Sequence, residues 1–503
     1  MSTQTSIDRD ELFIGGAWVK PRGSARISVT AASTEEPVGS VPEGTNADID
    51  AAVSAARAAF DDPSGWSSWS AEDRAQALER LAGGLESRSE EIAQLVSLQN
   101  GMPISFALQA EAVYPALLAR YYAGLIRQIS PEEDRQGLLG GKIHVVSTPV
   151  GVVGAIVPWN YPQGLAMLKL APALAAGCTV VIKPSEFTSA SLLEFMKLVI
   201  EPAEVPAGVI NVVTGYGAVV GEPLITHPKV AKVAFTGGTV TGARVNELAA
   251  KTFKKVSLEL GGKSPNIVFD DCVLEDAVSG AISGIFAATG QTCIAGSRLL
   301  LQETIHDQFV EKLVDMARQA RLGDPAKLET QVGPVTTPAQ YQKILSYIDI
   351  AKGEGARCVL GGGPATKEEG GGQYFVKPTI FTGVNNKMRI AQEEVFGPVL
   401  SIIKFKDEAE AVAIANDIAY GLGAGLWTQS VKRATSVSKR IRAGTVWVNT
   451  YRAVSFLMPF GGYKASGLGR ENGAEAIEGY LQTKSVWINN GPGGGNPFIM
   501  KTS

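Results

Sequence analysis

The chain has 503 residues, 45% of them hydrophobic and 19% charged, with a formal net charge of −4. That length is too great for one hydrophobic core and predicts two or three domains, while a near-neutral balance without a basic cluster excludes a nucleic-acid footprint. Four cysteines without a CxxC pair and three scattered histidines argue against a disulfide framework and a zinc site, and favour a reducing, cytoplasmic setting.

The first residues, MSTQTSIDRDELF, are polar and acidic, so no signal peptide is expected. No apolar run reaches membrane-spanning length, and no membrane partner is expected. Residues 46–60 open on Asn and Asp caps and continue with alanine at helical spacing; 71–99 and 106–127 read as two further helices. Gly137, Gly140 and Gly141 precede a strand at Ile143–Thr148, which predicts a hairpin arm. From residue 150 the pattern becomes β-α-β. A buried strand runs over 150–157 and stops at Pro158, a helix follows over 165–176, and strands follow at 178–182, 209–213 and 230–235. A second set begins after Glu259, with strands at 266–269, 297–301, 357–360, 399–405 and 445–449 and helices at 273–289 and 305–321. The alternation predicts an α/β chain with parallel sheets covered on both faces, whose ligands bind at the carboxyl ends of the strands. Residues 364–373 read as a polar glycine-rich loop, the glycines at 215, 217, 421, 423 and 425 as turns, Val486–Ile488 as an edge strand and GPGGGNP (491–497) as a flexible tail.

Five segments beside strands, and one cysteine run, carry groups that chemistry could use. Asn160, in Pro158-Trp159-Asn160-Tyr161-Pro162, offers an amide N–H to a developing oxyanion, or simply holds a turn between two prolines. Lys183-Pro184-Ser185-Glu186 offers a cation and a carboxylate suited to a ribose, or a solvated turn. Phe235-Thr236-Gly237-Gly238, running on to Gly242, puts glycines at a helix start, where backbone N–H groups suit a pyrophosphate; it is neither GxGxxG nor a P-loop. Glu259, between Leu258 and Leu260, is a carboxylate that gains basicity when desolvated, or a solvated strand face. Glu394 and Phe396 could hold a second ribose and flank a flat ring, or be a surface acid and a core phenylalanine. Cys293, in Gly290-Gln291-Thr292-Cys293-Ile294, is a thiol among small residues; a buried cysteine is usually inert, and only this company makes it a candidate nucleophile.

In their order, PWNYP (158–162), AGCTVVIKPSE (176–186), FTGGTVTG (235–242), LELGGKSPNIV (258–268), GQTC (290–293), EEVFGPVL (393–400) and PFGGYKASGLGRENG (459–473) resemble the non-phosphorylating branch of the aldehyde dehydrogenase superfamily over nearly the whole chain. The resemblance implies a Rossmann-like NAD-binding domain (1–127 and 150–259), an α/β catalytic domain (260–478) and a small β oligomerisation arm (128–149 and 479–503), and hence a homodimer or homotetramer. It implies Cys293 as nucleophile, Glu259 as general base, Asn160 in the oxyanion hole, and Lys169 and Glu471 in proton relay. It places NAD, with NADP as the alternative, against Ile156, Val157, Pro158, Trp159, Lys183, Ser185, Glu186, Gly217, Phe235, Thr236, Gly237, Gly238, Gly242, Leu260, Gly261, Glu394 and Phe396. Many relatives carry serine where Gly238 stands, so one contact to the pyrophosphate is expected to be missing. The aldehyde, the expected small-molecule partner, would meet Tyr161, Gly164, Leu165, Leu168, Thr292, Ile294, Arg452, Val454 and Phe456; Leu168 stands where some relatives have tryptophan. These mostly apolar side chains favour an aliphatic, terpenoid or aromatic aldehyde. Arg452 is expected to point outward into solvent; pointing inward, it would suit the carboxylate of a semialdehyde. A CoA-acylating enzyme is the remaining alternative, and Glu259 argues against it.

Overall fold

Helix boundaries follow local hydrogen-bond chemistry. The computed structural model describes residues 7–137, 141–488 and Phe498. The first helix, Asn46–Asp61, is capped by Thr45 rather than by the expected Asn or Asp, because Thr45 forms a capping box in which its N–H donates to the Asp48 carboxylate at 2.8 Å. The single helix expected over 71–99 is two, Ala71–Ser87 and Ser89–Asn100, broken at Arg88. The stretch 106–127 is likewise interrupted: Ile104–Ala107 passes through a wide turn, Leu108–Val113, into Tyr114–Ile126. Pro115 has no N–H to return to that turn, which accounts for its loosened winding.

The first sheet runs, across its width, Gly467–Leu468, Lys255–Glu259, Val230–Thr236, Val152–Ile156, Thr179–Lys183, Ile210–Val212, Leu12–Ile14 and Ala17–Val19. Its five inner strands are parallel, as expected, and antiparallel strands close both edges. Register carries the functional argument here. Ile156 lies opposite both Phe235 and Lys183, and Thr236 lies opposite Glu259, so four motifs distant in sequence end on one edge of the sheet.

Only Leu260–Ser264 separates Glu259 from Pro265–Val268, a central strand of the second sheet. That sheet runs Arg357–Leu360, Thr379–Thr382, Val399–Phe405, Arg298–Gln302, Pro265–Val268, Gly423–Trp427 and Thr445–Val448. Gly423–Trp427 corrects an expectation, since the glycine run read as a turn is a fully buried strand. Its glycines serve packing: a Cβ on Gly425 would come within 2.4 Å of the Tyr451 ring and 2.5 Å of Asn266. The strand Thr379–Thr382 and the helices Pro338–Gly353, Glu408–Asn416 and Val431–Arg440 were not legible in the sequence.

The expected hairpin is present. Glu132–Gln136 pairs antiparallel with Lys142–Pro149, and Leu481–Trp487 joins as the edge of a three-stranded sheet. Gly140 and the tail GPGGGNP lie outside the described residues. The helix Pro162–Ala175 is buried at every residue except Leu165, because it packs between the first sheet and the helices of 71–126. No helix among the described residues is long and apolar enough to cross a membrane.

Candidate active site

The loop carrying Cys293 follows the helix Leu274–Phe286 through a turn in which Ala288 and Thr289 are left-handed, at φ 51° and 55°. Two such non-glycine residues in succession cost on the order of 1–3 kcal/mol each, so surrounding contacts must hold them. Thr289 Oγ1 donates to the Gly333 carbonyl at 3.1 Å. Gly262, in the segment between the two sheets, backs the nucleophile: a Cβ there would lie 2.3 Å from the Cys293 carbonyl, so only glycine allows this approach. Burial pushes the Cys293 thiol up to about 12, and the nearby Glu259 and Glu394 carboxylates push the same way; the Ile294 N–H and Arg452 oppose them.

Asn160 and Glu259 reach the same place from the first sheet. Asn160 Nδ2 donates to the Gln291 carbonyl at 3.0 Å, which ties the PWNYP loop to the cysteine loop. The Asn160 carbonyl in turn accepts from Asn100 Nδ2 at 3.1 Å, and Gln291 Oε1 accepts from the Thr336 N–H at 3.0 Å. Glu259 is buried, and neither carboxylate oxygen has a hydrogen-bond partner. Burial, then the nearby Glu471, holds its acid form well above the ordinary carboxylate range, against the pull of Lys169 and Arg470. Lys169 and Glu471 form a buried pair at 2.5 Å, and Lys169 Nζ also donates to Thr236 Oγ1 at 2.7 Å. The structure therefore brings Cys293, Glu259, Asn160, Lys169 and Glu471 into one neighbourhood.

The expected cofactor residues divide into two groups. Lys183 and Glu186 face each other at 3.5 Å, Ser185 caps the following turn by accepting from the Phe187 N–H, and burial lowers the Lys183 ammonium. Gly238 is the N-cap of the helix Thr239–Ala250, with open space where a Cβ would stand. Glu394 accepts from the Gly262 N–H at 2.9 Å and lies so close to Gly261 that a Cβ there would meet its carboxylate at 2.5 Å. Trp159 meets Phe396 edge-on at 5.4 Å, beside the partly exposed Pro158, and Phe396 is held at φ 59°. These groups offer polar atoms, or an aromatic face, to a ligand. Others serve the fold. Ile156, Val157, Phe235 and Leu260 are buried apolar side chains. The Gly237 N–H already donates to the Glu259 carbonyl at 3.0 Å, which corrects its reading as a free pyrophosphate donor. Gly242 admits Leu260, which a Cβ would strike at 2.3 Å, and Gly217, itself exposed, opens a wide turn, Gly217–Gly221, whose last two residues are buried.

A cavity of about 500 Å³ opens onto Cys293, lined by Tyr161, Gly164, Leu165, Leu168, Thr292, Ile294, Arg452 and Val454 among others. Phe456 does not line it; its ring packs on Tyr121 at 5.5 Å and Tyr114 at 6.1 Å. Sequence reading missed Phe106, Ala110, Val113 and Leu117, which also line the cavity, as well as Tyr451 and Phe460. The first four fall at helical spacing along one face, and that periodicity was the available signal.

Arg452 also departs from expectation. It does not point outward: Nη1 donates to the carbonyls of Ser283 and Ala287, at 3.3 and 3.2 Å, and Nη2 to Tyr161 Oη and Thr292 Oγ1, at 2.9 and 3.2 Å. Glu111 is a further group the sequence did not flag. It is wholly buried, accepts from the Gln163 N–H at 2.7 Å and the Gly164 N–H at 3.4 Å, and is pushed by burial up to about 8. It thereby caps the helix that follows Asn160.

A cysteine, a desolvated carboxylate and an amide donor brought together at loops of two α/β sheets define a candidate enzyme active site. The model of the aldehyde dehydrogenase family matches residues 18–486, and the chain belongs to that family. It is 43% identical over 485 residues to the geranial dehydrogenase of Castellaniella defragrans, covering 96% of this chain and 99% of the relative. Among solved structures it is similar to the NAD+ complex of an aldehyde dehydrogenase from Bacillus cereus, at 41% identity and TM-score 0.93, with 97% of this chain and 98% of that one covered. It is also similar to betaine aldehyde dehydrogenase from Staphylococcus aureus in complex with NAD+, at 37% identity and TM-score 0.93, with 96% and 95% covered.

Proposed function

We propose that this chain oxidises an apolar aldehyde to its carboxylic acid with NAD, through a covalent bond to Cys293. The carrying observation is the placement of Cys293 at a mostly apolar cavity of about 500 Å³, with the Asn160 amide tied to its loop and the unpartnered Glu259 carboxyl close enough to raise the thiol. A thiol raised to about 12 is protonated at neutral pH, so attack on the carbonyl requires proton removal in the site. Glu259, itself raised by burial, is the matched acceptor. As the Cys293 sulfur bonds to the aldehyde carbon, the carbonyl oxygen becomes an oxyanion. One N–H of the Asn160 amide is engaged by Gln291, and the second faces that oxyanion together with the Cys293 backbone N–H. NAD, when bound, supplies the hydride acceptor. Cys293 is then left as a thioester; Glu259, having passed the thiol proton on, takes a proton from water, the hydroxide adds to the thioester carbon, and the C–S bond breaks to release the acid and the Cys293 thiolate. Glu471 and Lys169 form the buried path along which both protons leave Glu259.

The residues present fit NAD. Gly238 leaves room for a phosphate at a helix N-terminus, and the Glu394 carboxylate is already oriented by the Gly262 N–H to accept from a ribose. Glu186, held beside Lys183, accepts from the other ribose and repels a 2′-phosphate, which favours NAD over NADP. These elements support residues 1–127 and 150–259 as the cofactor domain, 260–478 as the catalytic domain, and 128–149 with 479–503 as an arm that pairs subunits.

The apolar lining supports a substrate of the kind named for the Castellaniella relative. A cationic substrate, as named for the Staphylococcus structure, is disfavoured because the Arg452 guanidinium lies in the cavity wall. A semialdehyde, whose carboxylate would have to pair with this guanidinium, is the second reading, and the four neutral acceptors already on its Nη groups weigh against it. A panel of terpenoid, aromatic, quaternary-ammonium and carboxylate-bearing aldehydes, assayed by nicotinamide absorbance with NAD and with NADP, tests both. Highest kcat/KM on a semialdehyde, or on the quaternary-ammonium aldehyde, would replace the apolar assignment.

A further inference from the structure

Two loops under backbone strain meet at one guanidinium. Arg452 is itself left-handed, at φ 60°, and the turn it grips holds Ala288 and Thr289 at φ 51° and 55°. Each Nη of a guanidinium carries two N–H groups, and the four bonds described above engage all four. All four acceptors are neutral. Two are backbone carbonyls at the end of the helix leading to the strained turn. The other two, Tyr161 Oη and Thr292 Oγ1, lie 2.8 Å from each other. Tyr161 follows Asn160 directly and Thr292 precedes Cys293 directly. The guanidinium also lies over the Phe106 ring, its centroid 5.6 Å away.

We propose that Arg452 is a positioning residue that staples the Asn160 loop to the Cys293 loop and so holds the nucleophile and the oxyanion donor at one separation. The proposal rests on the reading of Cys293 as nucleophile. A planar fork with fixed donor directions can span two loops at once, which a lysine ammonium cannot do with the same geometry. The guanidinium also adds a positive charge near Cys293 that opposes the nearby carboxylates. The groups that face the thiol are Glu259 and Glu394, which disfavour its anion, Arg452, which favours it, and Tyr161. Because its Nη donors are already engaged, Arg452 acts on every aldehyde alike and does not serve as a receptor for a substrate carboxylate.

The experiment compares the full-length wild type with Arg452→Gln, Arg452→Lys, Tyr161→Phe and Cys293→Ala. Each is assayed on one neutral and one carboxylate-bearing aldehyde, and Cys293 alkylation by iodoacetamide is followed against pH by mass spectrometry. Arg452→Gln is expected to lower kcat by about tenfold or more with little change in KM, by the same factor on both aldehydes, and to move Cys293 alkylation to higher pH. Arg452→Lys is expected to restore the alkylation curve but not kcat. A folded Arg452→Gln enzyme with unchanged kcat and alkylation curve overturns the proposal; so does a loss confined to the carboxylate-bearing aldehyde, which makes Arg452 a substrate receptor. Should Arg452→Gln fail to fold, Tyr161→Phe removes one acceptor with the arginine in place, and an unchanged kcat there overturns the staple. Full turnover by Cys293→Ala would sink the nucleophile assignment separately.

Discussion

At the scale of single residues, the site is a set of groups whose proton affinities are raised by burial. Burial holds both Cys293 and Glu259 above their ordinary ranges, the thiol to about 12, so the thiol is protonated near neutrality and must lose its proton before attack. The rate is therefore expected to rise with pH as these groups lose protons, and kcat/KM measured from about pH 6 to 9.5 checks this. A flat profile contradicts it. Cys293→Ala is expected to lower turnover by about 10⁴-fold or more while leaving NAD binding measurable by thermal shift. Glu259→Gln should slow thioester hydrolysis by about 10²-fold or more, read as accumulation of acyl-enzyme by mass spectrometry. Gly238 makes a prediction of the opposite sign. Its φ of −68° suits any residue, and a Cβ there meets open space, so Gly238→Ser fits. Serine also caps a helix slightly better than glycine, by a few tenths of a kcal/mol. The variant is expected to hold its Tm and to bind NAD roughly threefold to tenfold tighter by titration calorimetry, the worth of one hydrogen bond.

At the scale of elements, the helix Pro162–Ala175 carries much of the site. It starts just after Asn160, contributes Leu165 and Leu168 to the cavity, and holds Lys169 against Glu471. Its N-terminus is capped from outside by Glu111, which comes from the wide turn Leu108–Val113. That carboxyl is raised from an ordinary 4.5 to about 8, so its neutral form is favoured by the folded state. Its contribution to stability is fully present below 4.5 and is lost as pH rises through about 8. Glu111→Gln keeps the acceptor oxygen and removes the ionisation. Its Tm is expected to fall less than that of the wild type between pH 6 and pH 9 in scanning calorimetry. Parallel Tm curves would assign the alkaline loss to other groups.

At the scale of the whole molecule, two sheets meet through the short segment Leu260–Ser264, and the facing loop ends form the site between them. The three-stranded arm stands apart from both sheets. Every residue of Glu132–Gln136 is exposed, and Trp487 on the outer strand is 64% exposed. An exposed strand edge with an unburied tryptophan fits a surface completed by another subunit. Light scattering is expected to give a dimer or tetramer mass, and Trp487→Lys a shift toward smaller species at equal concentration. A monomeric wild type would remove the arm from the assembly.

Periodicity and strand-end chemistry in the sequence by themselves determined the α/β class, the inner strands of the first sheet, and the candidacy of Cys293, Glu259 and Asn160. Those features are local: alternating apolar runs, a proline after a strand, a cysteine among small residues. Register and packing decided the rest. Whether Gly423–Trp427 turns or pairs depends on Tyr451 and Asn266 pressing against Gly425, neither of them its neighbour in sequence. The Gly237 N–H was lost to the Glu259 carbonyl through pairing of two strands, and Phe456 was drawn from the cavity by Tyr114 and Tyr121. The direction of Arg452 could not be read from a lone charge in a loop. It turns inward because four acceptors from three segments converge on it, and only the tertiary structure assembles them.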